Sequence, residues 1–156
     1  MARGEKVKPK AGEKYGWLFS YPTPRLSSHY YPTGLLLGKG NFGEVEVFKS
    51  LHSGASVASK RIGKEKLTYV EDFEDVRREV AILRHLGGHP HVCELRGVFE
   101  DRESIHIVMG LCAGGALSSQ ILQRKMFPEG EAAHVFRQVV EAVRHTHAKG
   151  VMHRWE

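Results

Sequence analysis

Gly38-Lys39-Gly40-Asn41-Phe42-Gly43 runs straight into Glu44-Val45-Glu46-Val47, and the reading of this junction decides the fold. Three glycines in a Gly-x-Gly-x-x-Gly pattern suit a loop that lowers its backbone N–H groups onto phosphate, because no side chain stands in the way. The pattern alone is weak: chance glycine clusters share it, and so do dinucleotide loops. A dinucleotide loop, however, opens a helix whose N-terminus holds the pyrophosphate. Here Leu35-Leu36-Leu37 precede the glycines, and the segment after them alternates polar and apolar with the period of a half-buried strand. The glycines therefore cap a hairpin.

Working outward, Ser53-Gly54 marks a turn into a second short strand, Val57 to Ile62. From Glu71 the period changes: Phe73, Val76, Val80 and Leu83 recur at three- and four-residue steps, an amphipathic helix that Gly87-Gly88 ends. On its wet face Glu74 is expected to pair with Arg77 or Arg78. Strands are expected over Val92 to Phe99 and Ile105 to Met109. Gly110 to Gly115 is too glycine-rich for either regular structure and suits a connector. A short helix over Leu117 to Arg124 follows. Pro128 then opens a long one with the apolar stripe Ala132, Val135, Phe136, Val139 and Val143, closed by Gly150. The expected class is α+β, a five-stranded antiparallel sheet with one helix and then a partial helical region. The expected divisions are a flexible basic leader at 1–30, the sheet-bearing lobe at 31–109, a hinge at 110–116 and a helical segment at 117–156.

Composition narrows the class. The 41% hydrophobic and 26% charged residues are those of a water-soluble globular domain. No apolar run approaches the roughly 18 residues needed to span a bilayer, and neither a secretory signal nor a myristoylation site is expected at Met1-Ala2. Two cysteines, Cys93 and Cys112, make no disulfide framework, so a reducing cytoplasmic setting is expected, or a nuclear one. The ten histidines lack zinc-type spacing, and no metal site is expected. Six cations against two carboxylates in residues 1–30 leave +4 of the chain's +5 in the leader. Diluted by acids and prolines, that patch is weak, and nucleic-acid binding is not expected.

Lys60 lies inside the apolar strand, where a lysine usually just faces solvent. Glu79 changes that reading, because it falls three residues after Val76 and four before Leu83, on the buried stripe of its helix. A carboxylate there needs a partner, since a lone buried charge costs roughly 3–5 kcal/mol. Lys60 is the candidate.

Glycine loop, Val57-Ala58-Ser59-Lys60, helical glutamate and the closing Val151-Met152-His153-Arg154 together match the protein-kinase signature. The chain resembles the calcium-dependent protein kinases of plants, algae and protists, which are serine/threonine kinases. The resemblance runs from about Thr33 to Arg154 and is carried by Glu74-Asp75-Val76-Arg77-Arg78-Glu79-Val80, Ile107-Val108-Met109, Leu111-Cys112-Ala113-Gly114-Gly115 and Gly150 to Arg154. It implies ATP as the ligand. Leu37, Val45 and Ala58 would enclose the adenine, the backbone from Gly110 to Cys112 would hydrogen-bond it, and Met109 would be the gatekeeper. Gly38, Gly40 and Gly43 would cover the phosphates. Lys60, anchored by Glu79, would hold them, and His153 would shape the catalytic loop.

Departures from the family pattern accumulate toward the C-terminus. Gly110 and Ala116 stand where the family carries glutamates, and Ser118-Ser119 replaces an apolar-acidic pair. Trp155 follows His153-Arg154 where the family has the catalytic aspartate, and an indole, a donor only, cannot take a hydroxyl proton. The asparagine and Asp-Phe-Gly that bind Mg²⁺ in the family are not among these 156 residues, nor are the calcium-binding hands. The expectation is therefore a truncated member that binds ATP without transferring phosphate. The alternative is a non-catalytic interaction protein that docks on a full-length kinase or other partner through the helix at 129–148.

Overall fold

The computed structural model describes residues 6, 17–19, 24–40 and 43–152. Five strands form one sheet: β1 (Tyr30–Lys39), β2 (Gly43–Ser50), β3 (Ser56–Gly63), β4 (Leu95–Glu100) and β5 (Ser104–Gly110). Every neighbouring pair is antiparallel, in the order β1-β2-β3-β5-β4. Helix α1 (Val70–Leu86) is inserted between β3 and β4, and α2 (Leu117–Arg124) and α3 (Glu129–Ala148) follow the sheet. This is the α+β small lobe of a kinase-like fold with a partial helical part.

The local chemistry explains the connections. Gly54, at φ +69°, turns β2 into β3, a left-handed conformation that other side chains resist. At the start of α1, the Asp72 carboxylate reaches back to accept the N–H groups of Thr68 and Tyr69 at 2.7 and 2.8 Å, satisfying donors that the helix cannot. Asp101 does the same for the tight β4–β5 turn, accepting from Glu103 and Ser104.

The register sorts the sheet into two faces. Paired residues share a face, so Val47, Ala58 and Met109 lie together, as do Lys60 with Ile107 and Ile62 with Ile105. Ile62, Ile105 and Ile107 are sealed on this face, and Phe73, Val76 and Val80 supply the buried stripe of α1. The opposite face carries Phe48, Val57, Phe99 and Val108. Leu26 and Tyr30 pack against that second cluster, and Tyr30 meets Phe99 edge-on at 5.7 Å.

Three expectations need correction. β4 begins at Leu95 rather than Val92, because the Val92 N–H closes a turn onto the His89 carbonyl after Pro90. Arg78 pairs with Asp75 at 2.7 Å, not with Glu74, while Arg77 turns to Leu18. The flexible-leader reading of 1–30 fails at residues 17–19 and 24–30. Leu18 is buried, Leu26–Ser28 form a 3-10 turn, and Tyr30 opens β1. The Leu26 and Tyr30 side chains cover sheet surface that would otherwise face water. Lys6 also makes an isolated bridge to Tyr69, and the rest of the leader lies outside the described residues.

The chain divides into two compact units, 1–81 with 95–111 and 82–94 with 112–156. In the second, histidines serve as backbone caps. His145 Nε2 lies 3.0 Å from the Leu86 carbonyl oxygen, His85 Nε2 lies 3.0 Å from that of Lys149, and His89 stacks on His145 at 4.5 Å. Among the described residues no group of three or more His, Cys, Asp or Glu side chains is placed to hold a metal, and no helix is long and apolar enough to cross a membrane. The stripe of α3 stays open. Phe136 is 69% and Val139 46% exposed, and Leu117, Ile121 and Phe127 continue the apolar surface.

Candidate functional site

The glycine hairpin joins β1 to β2, with Gly38 opposite Val45 and Lys39 opposite Glu44. Gly40 donates to the Gly43 carbonyl at 2.8 Å, and Lys39 pairs with Glu44 at 2.7 Å across the ladder. Through that hydrogen bond and charge, the pair raises the Lys39 pKa and lowers that of Glu44. The tip, Asn41-Phe42, lies outside the described residues.

The three glycines are not equivalent. A Cβ on Gly43 would overlap the Arg61 carbonyl of β3, so packing within the sheet demands glycine there. A Cβ on Gly38 would meet nothing within 4 Å, and one on Gly40 only the Gly43 carbonyl at 3.9 Å. Among the described residues no neighbour requires these two positions to be bare. Their openness suits a bulky group that approaches the backbone from outside.

Lys60 projects from β3 between buried Ala58 and Ile62, on the sheet face that Val45 shares. Its Nζ lies 2.7 and 2.8 Å from the two carboxylate oxygens of Glu79, on α1. The side chains are 25% and 38% exposed. The 3–5 kcal/mol argument for a buried carboxylate therefore does not apply to Glu79, since an ion pair this wet contributes about 1 kcal/mol or less. What the pair supplies is position: an ammonium on a rigid strand, with its direction fixed by a helix.

Around it, Ala58 is buried, Val45 and Met109 are half-buried, and Leu37 is exposed on β1. Ala58 lies directly opposite Met109, and Gly110 opposite Val57 at the end of β5. Leu37, Gly38, Gly40, Gly43, Val45, Ala58, Lys60, Glu79, Met109 and Gly110 all belong to the first unit, and Cys112, exposed, begins the second. Ala116 precedes α2 without a side-chain cap; its carbonyl accepts from Gln120 at 3.2 Å and its methyl accepts nothing. His153, Arg154 and Trp155 lie outside the described residues.

Sequence reasoning missed a second charged pair. Lys64 Nζ and Glu100 Oε1 are 2.7 Å apart with both side chains fully enclosed, and Trp17 and Leu18 of the leader contact the pair. Lys64 lies just past the end of β3, in the short 3-10 turn Lys64–Lys66. No spacing rule, however, links it to Glu100 or to Trp17.

Comparison with known proteins accords with this geometry. The protein kinase domain family matches residues 31–154. Calcium-dependent protein kinase 5 of Oryza sativa subsp. japonica is 43% identical over 146 residues, 94% of this chain and 26% of the relative. Calcium-dependent protein kinase 13 of the same plant is 45% identical over 154 residues, 99% of this chain and 27% of that one. The chain thus spans about a quarter of the length of these relatives. Among solved structures, Rad53 1-466 in complex with AMP-PNP superposes with a TM-score of 0.75 at 28% identity, covering 81% of this chain and 33% of that one. The chain belongs to the protein kinase domain family, and over nearly its whole length it is similar to calcium-dependent protein kinases.

Proposed function

We propose that this segment binds ATP and forms the nucleotide-gripping part of a serine/threonine protein kinase. The observation that carries the proposal is the Lys60–Glu79 pair beneath a hairpin whose Gly38 and Gly40 have open space, among the described residues, where a side chain would stand. Lys60 would hold the α- and β-phosphates while the glycine backbone covers them. Leu37, Val45, Ala58 and Met109 would enclose the adenine, and the connector that starts at Gly110 would offer its backbone to the base edge. The AMP-PNP held by the Rad53 structure supports the same ligand class. The family reaction, transfer of the ATP γ-phosphate to serine or threonine, is proposed for the whole protein. Trp155, by contrast, can neither orient an incoming hydroxyl nor take its proton, so a polypeptide of these 156 residues is proposed to bind without transferring.

Titration of a fluorescent ATP analogue tests the site. Binding should weaken at least tenfold in Lys60→Ala, corresponding to about 1.4 kcal/mol of lost charged contact. Equal affinity in the variant would overturn the reading.

A second reading, a docking module that works through 129–148, is favoured by the open apolar stripe of α3. A pull-down of a full-length kinase that is lost on Val139→Asp would support it. Retention of the partner by that variant would remove the idea.

A further inference from the structure

The Lys60–Glu79 pair is only one of the attachments of α1. Arg77, two residues before Glu79, directs Nε and Nη2 onto the carbonyl oxygen of Leu18 at 3.1 Å each. Leu18 is itself fixed. Its side chain is 5% exposed, its N–H donates to Glu100 Oε1 at 2.7 Å, and the Phe19 N–H donates to Glu100 Oε2 at 2.7 Å. Glu100 ends β4, and its Oε1 also receives Lys64 Nζ at 2.7 Å; that ammonium sits 4.5 Å from the centre of the Trp17 ring. Trp17-Leu18-Phe19 thus ties the end of β4 and the turn after β3 to α1. The Lys6–Tyr69 bridge adds a contact just before the helix begins.

The two attachments differ in strength. Lys60 and Glu79 are partly wet, so water competes for both charges and the pair alone holds the helix weakly. The Glu100 carboxylate is enclosed, and its hydrogen bonds to Leu18 and Phe19 have no water to replace them.

We propose that Trp17–Phe19 is a strap that holds α1 through Arg77, so that Glu79 stays within reach of Lys60. Leu18 and Arg77 are then positioning residues: they touch no nucleotide and act on its site through Glu79. Displacing the strap loosens the grip on ATP with every residue of the pocket intact. The proposal rests on the reading of Lys60 as a phosphate ligand.

The test uses the 156-residue chain and a fluorescent ATP analogue. Arg77→Ala and Arg77→Lys are compared alone and in a Glu79→Gln background. Arg77→Ala should lower affinity several-fold, Arg77→Lys should recover part of that loss, and in the Glu79→Gln background neither should change affinity further. A purely structural arginine would cost the same in both backgrounds, and that result overturns the strap, as does normal affinity in Arg77→Ala. If Arg77→Ala does not fold, the same comparison is read from Arg77→Lys. The Lys60→Ala control separates the failures. Lys60 dependence without Arg77 dependence removes the strap alone, while loss of Lys60 dependence removes the nucleotide site and the strap with it.

Discussion

Lys64 and Glu100 form an ion pair of 2.7 Å with no solvent access to either side chain, whereas Lys60 and Glu79, at the same distance, remain partly wet. The two lysines lie four residues apart, one within β3 and one in the turn that follows it, yet the physics of their pairs differs. The enclosed pair is a structural lock and the open one an available ammonium. Burying two charges is costly, and the attraction between them offsets that cost only when the remaining lone pairs are also satisfied. At Glu100 the Leu18 and Phe19 amides do this.

Glu100→Ala should therefore destabilise strongly, by about 3–5 kcal/mol, because it removes the enclosed carboxylate shared by the Lys64 ammonium and the Leu18 and Phe19 amides. Urea unfolding followed by fluorescence measures the loss. The double variant Lys64→Met/Glu100→Leu should recover only part of it, since an apolar pair of similar volume removes the enclosed charge but still leaves the Leu18 and Phe19 amides without the Glu100 carboxylate. A loss below about 1 kcal/mol in Glu100→Ala would place this pair with ordinary surface pairs.

Lys60→Ala should behave in the opposite way. Its partner is exposed enough to be hydrated when left alone, so unfolding free energy should change by less than about 1 kcal/mol while nucleotide affinity falls. Circular dichroism melts beside the binding titration separate the two effects.

Most of the framework is legible in the sequence because its signals are local. The glycine hairpin announces itself by strand alternation, α1 by Phe73, Val76 and Val80 at helical spacing, and α2 by a segment that begins at Leu117 and ends at Arg124. The Lys60–Glu79 pair is legible because Glu79 falls on an apolar stripe and a single lysine lies within the preceding strand. The strap is not legible. Trp17-Leu18-Phe19 has no period, sits among Lys, Gly and Pro, and acquires meaning only when the chain folds back across some eighty residues to Glu100. The difference between Gly43 and its two companions is hidden for the same reason, since it depends on where the Arg61 carbonyl falls in a neighbouring strand.

Acid should weaken the fold. Burial first, with Arg61 adding, lowers the His106 pKa against the opposing pull of Asp101 and Glu46; the ring lies 3.4 Å from the Ser59 hydroxyl. Partial burial and then the neighbouring His145 and His91 lower that of His89. A histidine with a depressed folded pKa leaves the unfolded chain binding the proton first. Its contribution is full above the ordinary histidine value of roughly 6.5 and drains away as pH falls through the lower folded value. Stability measured from pH 8 down to 5 should be level at first and then decline, and His106→Gln should flatten part of the decline. A stability that rose on acidification through this window would contradict the assignment.

The glycine hairpin offers the sharpest separation of fold from binding. In Gly43→Ala the new methyl meets the Arg61 carbonyl, so β2 must move away from β3 or the ladder must break. Overpacking of this kind costs about 1–3 kcal/mol, and melting temperature should drop with affinity. Gly38→Ala and Gly40→Ala add a methyl to open space and should leave melting unchanged or slightly raised, because the unfolded chain loses freedom. Their cost should appear only when a triphosphate has to approach the backbone, as a several-fold loss in affinity for the ATP analogue at unaltered stability. If Gly38→Ala and Gly40→Ala bind as well as the parent chain, the hairpin does not cover phosphate and these glycines serve the turn alone.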